Sequence, residues 1–381
     1  MKAISSKLPQ VGTTIFTVMS ALAHEHGAIN LSQGFPNFPS PKVLNELVCQ
    51  YMARGFNQYA PMAGVPLLRQ RLASKAEALY GLAVDPDTEV AITAGATQAI
   101  FTAISAFVRP GDEVILLEPA YDSYRPSVEV NGGIAIAHDL KAPDYRPDWA
   151  AIKALITPRT RLIVINSPHN PSGTTLKAED LQALSDITKD TDILVLSDEV
   201  YEHLVYDGKA HQSVLRFPEL WQRSLAVYSF GKTFHNTGWK IGYCIAPEYL
   251  MSEFRKVHQF NVFSVNTPMQ HALADYMEQA DTYLSLPAFY QQKRDFFLDA
   301  ISGSHLRPLP CEGTYFCTFD YSAISQEADT AFAKRMTQEY GVAAIPVSVF
   351  YSDGRDDKII RLCFAKTEET LEQAGALLRK I

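Results

Sequence analysis

The chain has 381 residues, 47% of them hydrophobic and 20% charged, with 20 Gly and 22 Pro scattered along it. At about 150 residues per domain this argues for two or three packed units, and the composition excludes disordered, collagen-like and low-complexity chains. A formal net charge of −8, from 34 basic and 42 acidic side chains, and the lack of a basic run argue against nucleic acid as a partner.

The opening residues Met1–Lys7 are followed by no apolar stretch of signal length, and no window reaches the roughly 18 apolar residues of a membrane span. A cytoplasmic protein with no membrane partner is the expectation. The first forty residues carry turn signals and no clear strand, and end in Ser32-Gln33-Gly34-Phe35-Pro36. They read as an arm that packs with the C-terminal part of the chain.

From Glu89 to Ala246, short β-branched runs alternate with helical stretches. Strands are expected at Val90–Thr93, Glu113–Leu117, Ile134–Ala137, Arg161–Asn166, Ile193–Ser197, Leu225–Ser229 and Ile241–Ala246. Their near-continuous apolar character suits a mainly parallel sheet with helices on both faces. Thr97 can cap the first helix after this sheet begins, Ala99–Val108 supplies the apolar face, and Arg109-Pro110-Gly111 stops it. Beyond Pro268 come long helical stretches, a hinge near Ser285-Leu286-Pro287, strands at Thr314–Asp320 and Ile359–Ala365, and a closing helix from Glu368 with Leu371, Ala374, Leu378 and Ile381 on one face.

The expected fold class is α/β. A large domain over residues 41–285 carries a mainly parallel seven-stranded sheet covered by helices. A smaller α+β domain combines the arm, 1–40, with residues 286–381. Five cysteines, Cys49, Cys244, Cys311, Cys317 and Cys363, are an odd count in apolar surroundings and read as reduced, buried thiols. The histidines lack metal-site spacing, so no metal is expected.

Polar residues recur just beyond these strands, where open α/β sheets bind ligands. Asn170 follows one strand in Asn166-Ser167-Pro168-His169-Asn170-Pro171-Ser172-Gly173. Asp198 ends another, with Tyr201 three residues on, and Lys232 follows Ser229-Phe230-Gly231, with Lys240 eight residues later. Singly, each has a plain reading: an Asn-Pro turn, a helix N-cap, an interfacial aromatic, a solvated lysine. Their ordered spacing is what those readings leave unexplained. A desolvated lysine near other cations loses its proton readily and can form a Schiff base, and a carboxylate at the end of an apolar strand needs a cationic partner.

Gly95-Ala96-Thr97, between a strand and a helix, can hold a phosphate on the helix dipole, with Ser229 and Lys240 completing the cradle. Tyr121 can stack on a planar ring or serve as a packed core aromatic. Arg361, on a strand among apolar neighbours, suits bidentate recognition of a carboxylate or a structural ion pair.

Ser229-x-x-Lys232 with Lys240, Asn170-Pro-x-Gly173 and Asp198-x-x-Tyr201 together resemble the fold-type I pyridoxal phosphate aminotransferases of class I/II. Ser32-Gln33-Gly34-Phe35-Pro36, Asn57-Gln58-Tyr59-Ala60-Pro61 and Thr237-Gly238-Trp239-Lys240 further resemble their kynurenine and glutamine transaminase subgroup. The resemblance implies the cofactor pyridoxal 5'-phosphate, held covalently by Lys232. Asp198 would pair with its pyridine nitrogen, Asn170 and Tyr201 would bond its phenolate oxygen, and Tyr121 would stack on its ring. Gly95, Ala96, Thr97, Ser229 and Lys240 would bind its phosphate, joined by Tyr59 from the second subunit of a homodimer with sites at the interface. Arg361 would clamp the substrate α-carboxylate with Gly34 and Asn170 assisting. At position 240 most of the superfamily has Arg, which weakens any bidentate phosphate contact there.

The implied reaction moves an amino group from an amino acid to a 2-oxo acid. The candidate pocket segments Ile15-Phe16, Phe35, Tyr59 and Val262-Phe263 are apolar, and no second arginine lies in a dicarboxylate-type motif. Methionine and aromatic amino acids are therefore the expected donors. The rivals are a cysteine-conjugate C-S β-lyase on the same cofactor contacts and a non-catalytic cofactor-binding regulator. The chain offers the second no DNA-binding head or basic patch.

Overall fold

The computed structural model describes residues 5–381. After β1 (Ile29–Asn30) come β2 (Val90–Thr93), β3 (Glu113–Glu118), β4 (Ile134–Asp139), β5 (Thr160–Asn166), β6 (Leu194–Asp198), β7 (Ser224–Ser229) and β8 (Gly242–Ile245). The last seven form one sheet in the order β2-β8-β7-β6-β5-β3-β4. Pairing is parallel except at β8, which runs antiparallel to both β2 and β7. All seven expected strands are present, and the fold is α/β as the sequence implies.

Alternate residues of these strands feed two separate cores, one on each face of the sheet. Ile115, Ile163, Val195 and Tyr228 belong to the larger core; Val114, Leu116, Leu162, Val164, Leu196 and Val227 belong to the other. The pleat sends successive side chains to opposite faces, so a run that is apolar at every position has both faces covered by helices. Edge strand β4 departs from that pattern, with Ile134 43% exposed.

The sheet's second core rests on the helix Ala96–Phe107, whose buried face carries Ala99, Ile100, Ala103 and Ile104. Thr97 does not cap it: Gly95 is the N-cap, and no side chain accepts a hydrogen bond from the first turn. Gly95 has φ +80°, a conformation that an L side chain rarely adopts, and the chain thus turns from β2 into the helix two residues earlier than a Thr97 cap requires.

The C-terminal part adds β9 (Arg307–Pro308), β10 (Phe316–Asp320), β11 (Val342–Ala343), β12 (Ile345–Pro346) and β13 (Ile359–Cys363). An antiparallel sheet has the order β12-β13-β10-β9, while β1 and β11 pair in parallel. The N-terminal segment contains more structure than its turn signals suggest. Thr14 caps a helix over Ile15–Glu25, which lies against the helix Asp329–Tyr340, and β1 is too short for alternation to mark it. Near Ser285 the chain stays helical: Asp281–Leu284 and Leu286–Ala300 meet there, and Ser285 itself has φ −78° and ψ −14°. The closing helix spans Glu368–Leu378, with Leu371, Ala374 and Leu378 buried on one face and Ile381 buried beyond its end.

Three of the cysteines, Cys244, Cys317 and Cys363, are buried free thiols, whereas Cys49 is exposed and Cys311 half-buried. Cys49 lies on the helix Lys42–Ala53, whose buried stripe is Leu44, Val48 and Tyr51; a cysteine one residue after Val48 faces outward. Among the described residues no helix is long and apolar enough to cross a membrane, and no cluster of metal-ligating side chains occurs.

Gly242 fixes how closely β8 approaches its neighbours. A Cβ there would lie 2.6 Å from Tyr228 O and 2.9 Å from Ala96 N, both backbone atoms. Gly242→Ala is expected to lower stability by about 1–3 kcal/mol, because strand and helix must separate; urea unfolding followed by circular dichroism measures it.

Candidate active site

The strand register assembles the site. Asn166 at the end of β5 is level with Asp198 at the end of β6, and Ser229 at the end of β7 faces Gly242, which also faces Thr93 at the end of β2. Because β8 is antiparallel, its start lies where the parallel strands end. Lys240 and Ile241 therefore reach the same sheet edge as Ser229 and Gly95. A cleft of about 680 Å³, counting its open mouth, is lined here by Gly95, Ala96, Thr97, Tyr121, Asn170, Asp198, Tyr201, Ser229, Lys232 and Lys240. These are ten of the sequence-predicted residues, drawn from separate stretches of chain.

Lys232 lies in the short helix Phe230–Thr233 that leaves β7. Its Nζ donates to Tyr315 Oη at 2.8 Å and to Gly34 O at 3.4 Å. Burial, with further help from the positive Arg361 and Lys240, lowers the lysine pKa to about 8 against opposing effects of Cys363 and Asp198. Asp198 is 4% exposed. The hydroxyl of Tyr124 donates to its Oδ2 at 2.5 Å, and Val200 N donates to Oδ1 at 3.3 Å. These neutral donors only partly offset burial, which raises the carboxyl pKa to about 6. The residues after Asp198 form a turn, and no regular helix follows for it to cap.

That turn is pinned from behind. Glu199 accepts from Ser197 Oγ at 2.8 Å, Tyr228 Oη at 3.1 Å and Val214 N at 3.1 Å, and contacts His211 Nε2 at 2.9 Å. Glu202 pairs with Lys75 and with the hydroxyls of Tyr80 and Tyr243. Burial raises the Glu202 pKa, but the attraction of Lys75 and His203 and these hydrogen bonds outweigh it and hold the group at about 2. Asp198 and Tyr201 are thus set by contacts on the side of the turn away from the cleft.

At the phosphate end, a Cβ on Gly95 would lie 3.3 Å from Lys240 Nζ. The absence of a side-chain cap leaves first-turn N–H groups available to an anion. Lys240 has φ +55°, in the left-handed region unusual for a residue with a side chain.

Arg361, on β13, is buried. Its Nη1 donates to Asn170 Oδ1 at 2.5 Å and Nη2 to Ser32 O at 3.5 Å, and its guanidinium carbon lies 3.9 Å from the Phe316 ring centre and 5.5 Å from those of Phe16 and Phe350. Nε is buried without a hydrogen-bond partner. Aromatic faces and neutral oxygens surround this cation in place of the structural ion pair that the sequence left open.

Tyr59 stands apart. It is 81% exposed and packs edge-on against Phe263 with ring centres 5.0 Å apart, and it is not among the residues lining the cleft of its own chain. The sequence reading also missed Tyr124, Asn166 and Tyr315. Tyr124 opens the helix Tyr124–Val130 and meets Tyr121, which precedes that helix, edge-on with ring centres 5.8 Å apart; Asn166 stood in the stretch that drew attention to Asn170. For Tyr315, nothing in strand alternation separates it from its neighbours.

A lysine with a depressed pKa, a buried carboxylate without a bonded cation, an uncapped helix start beside a second lysine and a guanidinium with a free donor are suited to a charged planar group and a carboxylate. Residues 26–377 match the family model described as aminotransferase class I and II, and the chain belongs to that family, whose members use pyridoxal 5'-phosphate. It is 53% identical to a methionine aminotransferase of Escherichia coli, over 99% of this chain and 98% of the relative. It is also 35% identical to human kynurenine–oxoglutarate transaminase 1, covering 94% and 93%. A solved structure from E. coli with methionine aminotransferase function superposes with a TM-score of 0.98 at 53% identity, covering all of both chains. The N-succinyldiaminopimelate aminotransferase of Mycobacterium tuberculosis gives 0.95 at 36%, covering 99% and 100%.

The Asp198 pKa makes a pH prediction for the cofactor-free protein. Its folded value of about 6 exceeds the ordinary 3.8, so between these values the folded state binds more protons than the unfolded one, and stability falls as pH rises. Above pH 6 the buried charge costs on the order of 3 kcal/mol, at about 1.4 kcal/mol for each pH unit of that rise. Cofactor-free Asp198→Asn should therefore be more stable than the parent above pH 6, with the difference vanishing toward pH 4, as measured by urea unfolding across that range.

Proposed function

We propose that this aminotransferase carries pyridoxal 5'-phosphate on Lys232 and moves the amino group of methionine, or of an aromatic or other apolar amino acid, to a 2-oxo acid. The observation that carries the reading is that Lys232 and Asp198, 34 residues apart in the chain, line one cleft, while Arg361 bonds Asn170 in its wall.

When bound, the cofactor supplies an aldehyde that can be joined to an amine and an electron-poor ring that accepts the electron pair left on the substrate Cα. Asp198 favours a protonated pyridine nitrogen: a cation there meets the carboxylate where burial alone disfavours its charge. Asn170 and Tyr201 would hold the ring through its phenolate oxygen, and Tyr121 would stack on it. Gly95, Ala96, Thr97, Ser229 and Lys240 take the phosphate, with Lys240 acting as a point charge. Arg361 turns its free donor to the α-carboxylate, with Asn170 holding the opposite edge of the guanidinium and the Gly34 segment closing over it.

Once displaced by the substrate amine, Lys232 is a free base beside Cα. Lys232 Nζ would there take the proton released from Cα and would return it on the other side of the transfer, serving first as base and then as acid. A lysine pKa near 8 suits both directions, since base and acid forms coexist close to neutral pH.

Substrate choice is supported by the 53% identity to the methionine aminotransferase of E. coli and by Phe16, Phe316 and Phe350 around Arg361. Among the described residues no arginine lines the cleft itself, and Arg361 stands behind Asn170. A distal carboxylate facing this wall costs several kcal/mol without a partner, whereas a methionine-sized chain gains roughly 1.5–3 kcal/mol on burial. Specificity constants for methionine should exceed those for aspartate and glutamate by at least about tenfold on that balance; equal constants would overturn the substrate assignment. Borohydride reduction of the yellow holoenzyme should fix the cofactor to the Lys232 peptide and no other.

We further infer a homodimer in which Tyr59 of each chain completes the phosphate site of its partner. Its support is an exposed aromatic pair, Tyr59 at 81% and Phe263 at 47% exposure, with ring centres 5.0 Å apart. Ser264 Oγ to Ala60 O at 3.0 Å and Thr267 Oγ1 to Gln58 O at 2.6 Å hold the segments that carry it. Mixing Tyr59→Phe with Lys232→Ala chains should give hybrids with one unaltered site, restoring activity that neither variant has alone at full level. An active monomer in sedimentation would refute this assembly.

A further inference from the structure

Lys232 shares its carbonyl acceptor with a tyrosine. While Lys232 Nζ donates to Tyr315 Oη and Gly34 O, Tyr315 Oη donates to the same Gly34 carbonyl at 2.5 Å. A tyrosine hydroxyl has one proton, and here it is committed to Gly34, so its oxygen presents only lone pairs to the lysine.

Both acceptors are held rigidly. Tyr315 is completely buried, edge-on to Tyr201 at 5.2 Å and to Phe316 at 4.8 Å, and tilted against Tyr290 at 6.0 Å. Its backbone oxygen accepts from Phe364 N at 3.0 Å, and Thr314 N donates to Leu204 O at 3.1 Å. On the other side, Lys366 Nζ donates to Phe35 O at 2.8 Å and Asn37 N to Ala365 O at 3.3 Å, which fixes the segment around Gly34. A Cβ on Gly34 would lie 2.6 Å from the Phe316 ring, so the carbonyl reaches Lys232 only because this residue has no side chain.

An amine with two N–H bonds directed to two fixed acceptors has its remaining tetrahedral position directed away from both. In the neutral amine that position is the lone pair. We propose that Tyr315 is a positioning residue: together with the Gly34 carbonyl it holds the free amine of Lys232 so that the lone pair is presented to the substrate Cα. This rests on the assignment of Lys232 as the proton-transferring base.

The titratable and charged groups acting on Lys232 are Asp198, Cys363, Arg361 and Lys240, with the Tyr201 ring centre 5.6 Å away. Burial depresses the lysine pKa, and an accepting oxygen works the other way by favouring the ammonium form. Loss of the Tyr315 hydroxyl therefore deepens the depression.

The test compares the full-length parent with Tyr315→Phe. In cofactor-free protein, the pH dependence of reductive methylation at Lys232, followed by peptide mass spectrometry, should move to lower pH by about half to one unit in the variant. In the holoenzyme, kcat for methionine should fall roughly ten- to hundredfold while KM stays within about twofold. A residue that only supports the fold would alter melting temperature and KM without moving the lysine titration. Incorporating 3-fluorotyrosine at position 315 keeps the ring but weakens the acceptor, and should give a smaller shift in the same direction even if the Phe variant folds poorly. Borohydride label on Lys232 with unchanged titration and kcat in both variants would overturn the role of Tyr315 alone. Label on a different lysine in the parent would overturn the assignment of Lys232 and this inference with it.

Discussion

The site is organised around a carboxylate almost wholly withdrawn from water at the floor of the cleft. Asp198 ends a central strand with both faces of the sheet covered, and its oxygens meet only a tyrosine hydroxyl and a backbone N–H. Such a group is held near the edge of ionisation by burial, and a buried cation is what relieves it. The pinned turn behind it, with Glu199 and Glu202 each gathering several partners, keeps Asp198 from rotating toward solvent. In the proposed function that unresolved charge is a binding determinant: the fold stores a cost that a protonated pyridine ring offsets.

The reversal of one strand supplies the other end of the cleft. Had β8 run parallel to β7, Lys240 would lie at the opposite edge of the sheet, some four residues of strand away from Ser229. Antiparallel pairing brings it beside Gly95 and the uncapped start of the helix Ala96–Phe107. Gly242 permits this because its neighbours on both sides are backbone atoms at distances that exclude a Cβ. Two glycines and a strand direction, with no loop motif, shape the anion site.

The C-terminal sheet lies against residues that line the cleft, through Tyr315 to Lys232 and Arg361 to Asn170, and its attachment is polar. Glu312 accepts from Thr175 N and Oγ1, Arg146 and Lys209 at 2.8–2.9 Å. Burial raises its pKa, but these donors more than compensate and hold it at about 2. Glu312 N and Gly313 N in turn donate to Gly173 O at 2.8 Å. This joins the segment leading into β10, which carries Tyr315 and Phe316, to the loop that carries Asn170. Arg361 on the neighbouring strand then meets Asn170 directly. The groups proposed to hold substrate and those proposed to orient cofactor are therefore mechanically linked through one short stretch of chain.

The strands of the large sheet could be read from the amino-acid sequence because fully buried strands are written as unbroken apolar runs, and each run is a local property. The polar residues just past their ends were legible for the same reason: Asn170, Asp198 and Lys232 interrupt an apolar context where a charge or amide has a cost. The arm helix Ile15–Glu25 and the two-residue β1 escaped, since turn residues flank them and so short a strand has no period. The true cap of the helix after β2 is a glycine, whose signal is conformational and silent in composition. Direction and register belong to the tertiary structure. That β8 is antiparallel, that Tyr124 reaches Asp198 from 74 residues away, and that Tyr315 and Gly34, 281 residues apart, meet over one amine are decided by which faces must be buried together. Which distant segments are buried against one another is a property of the assembled chain, and no local pattern encodes it.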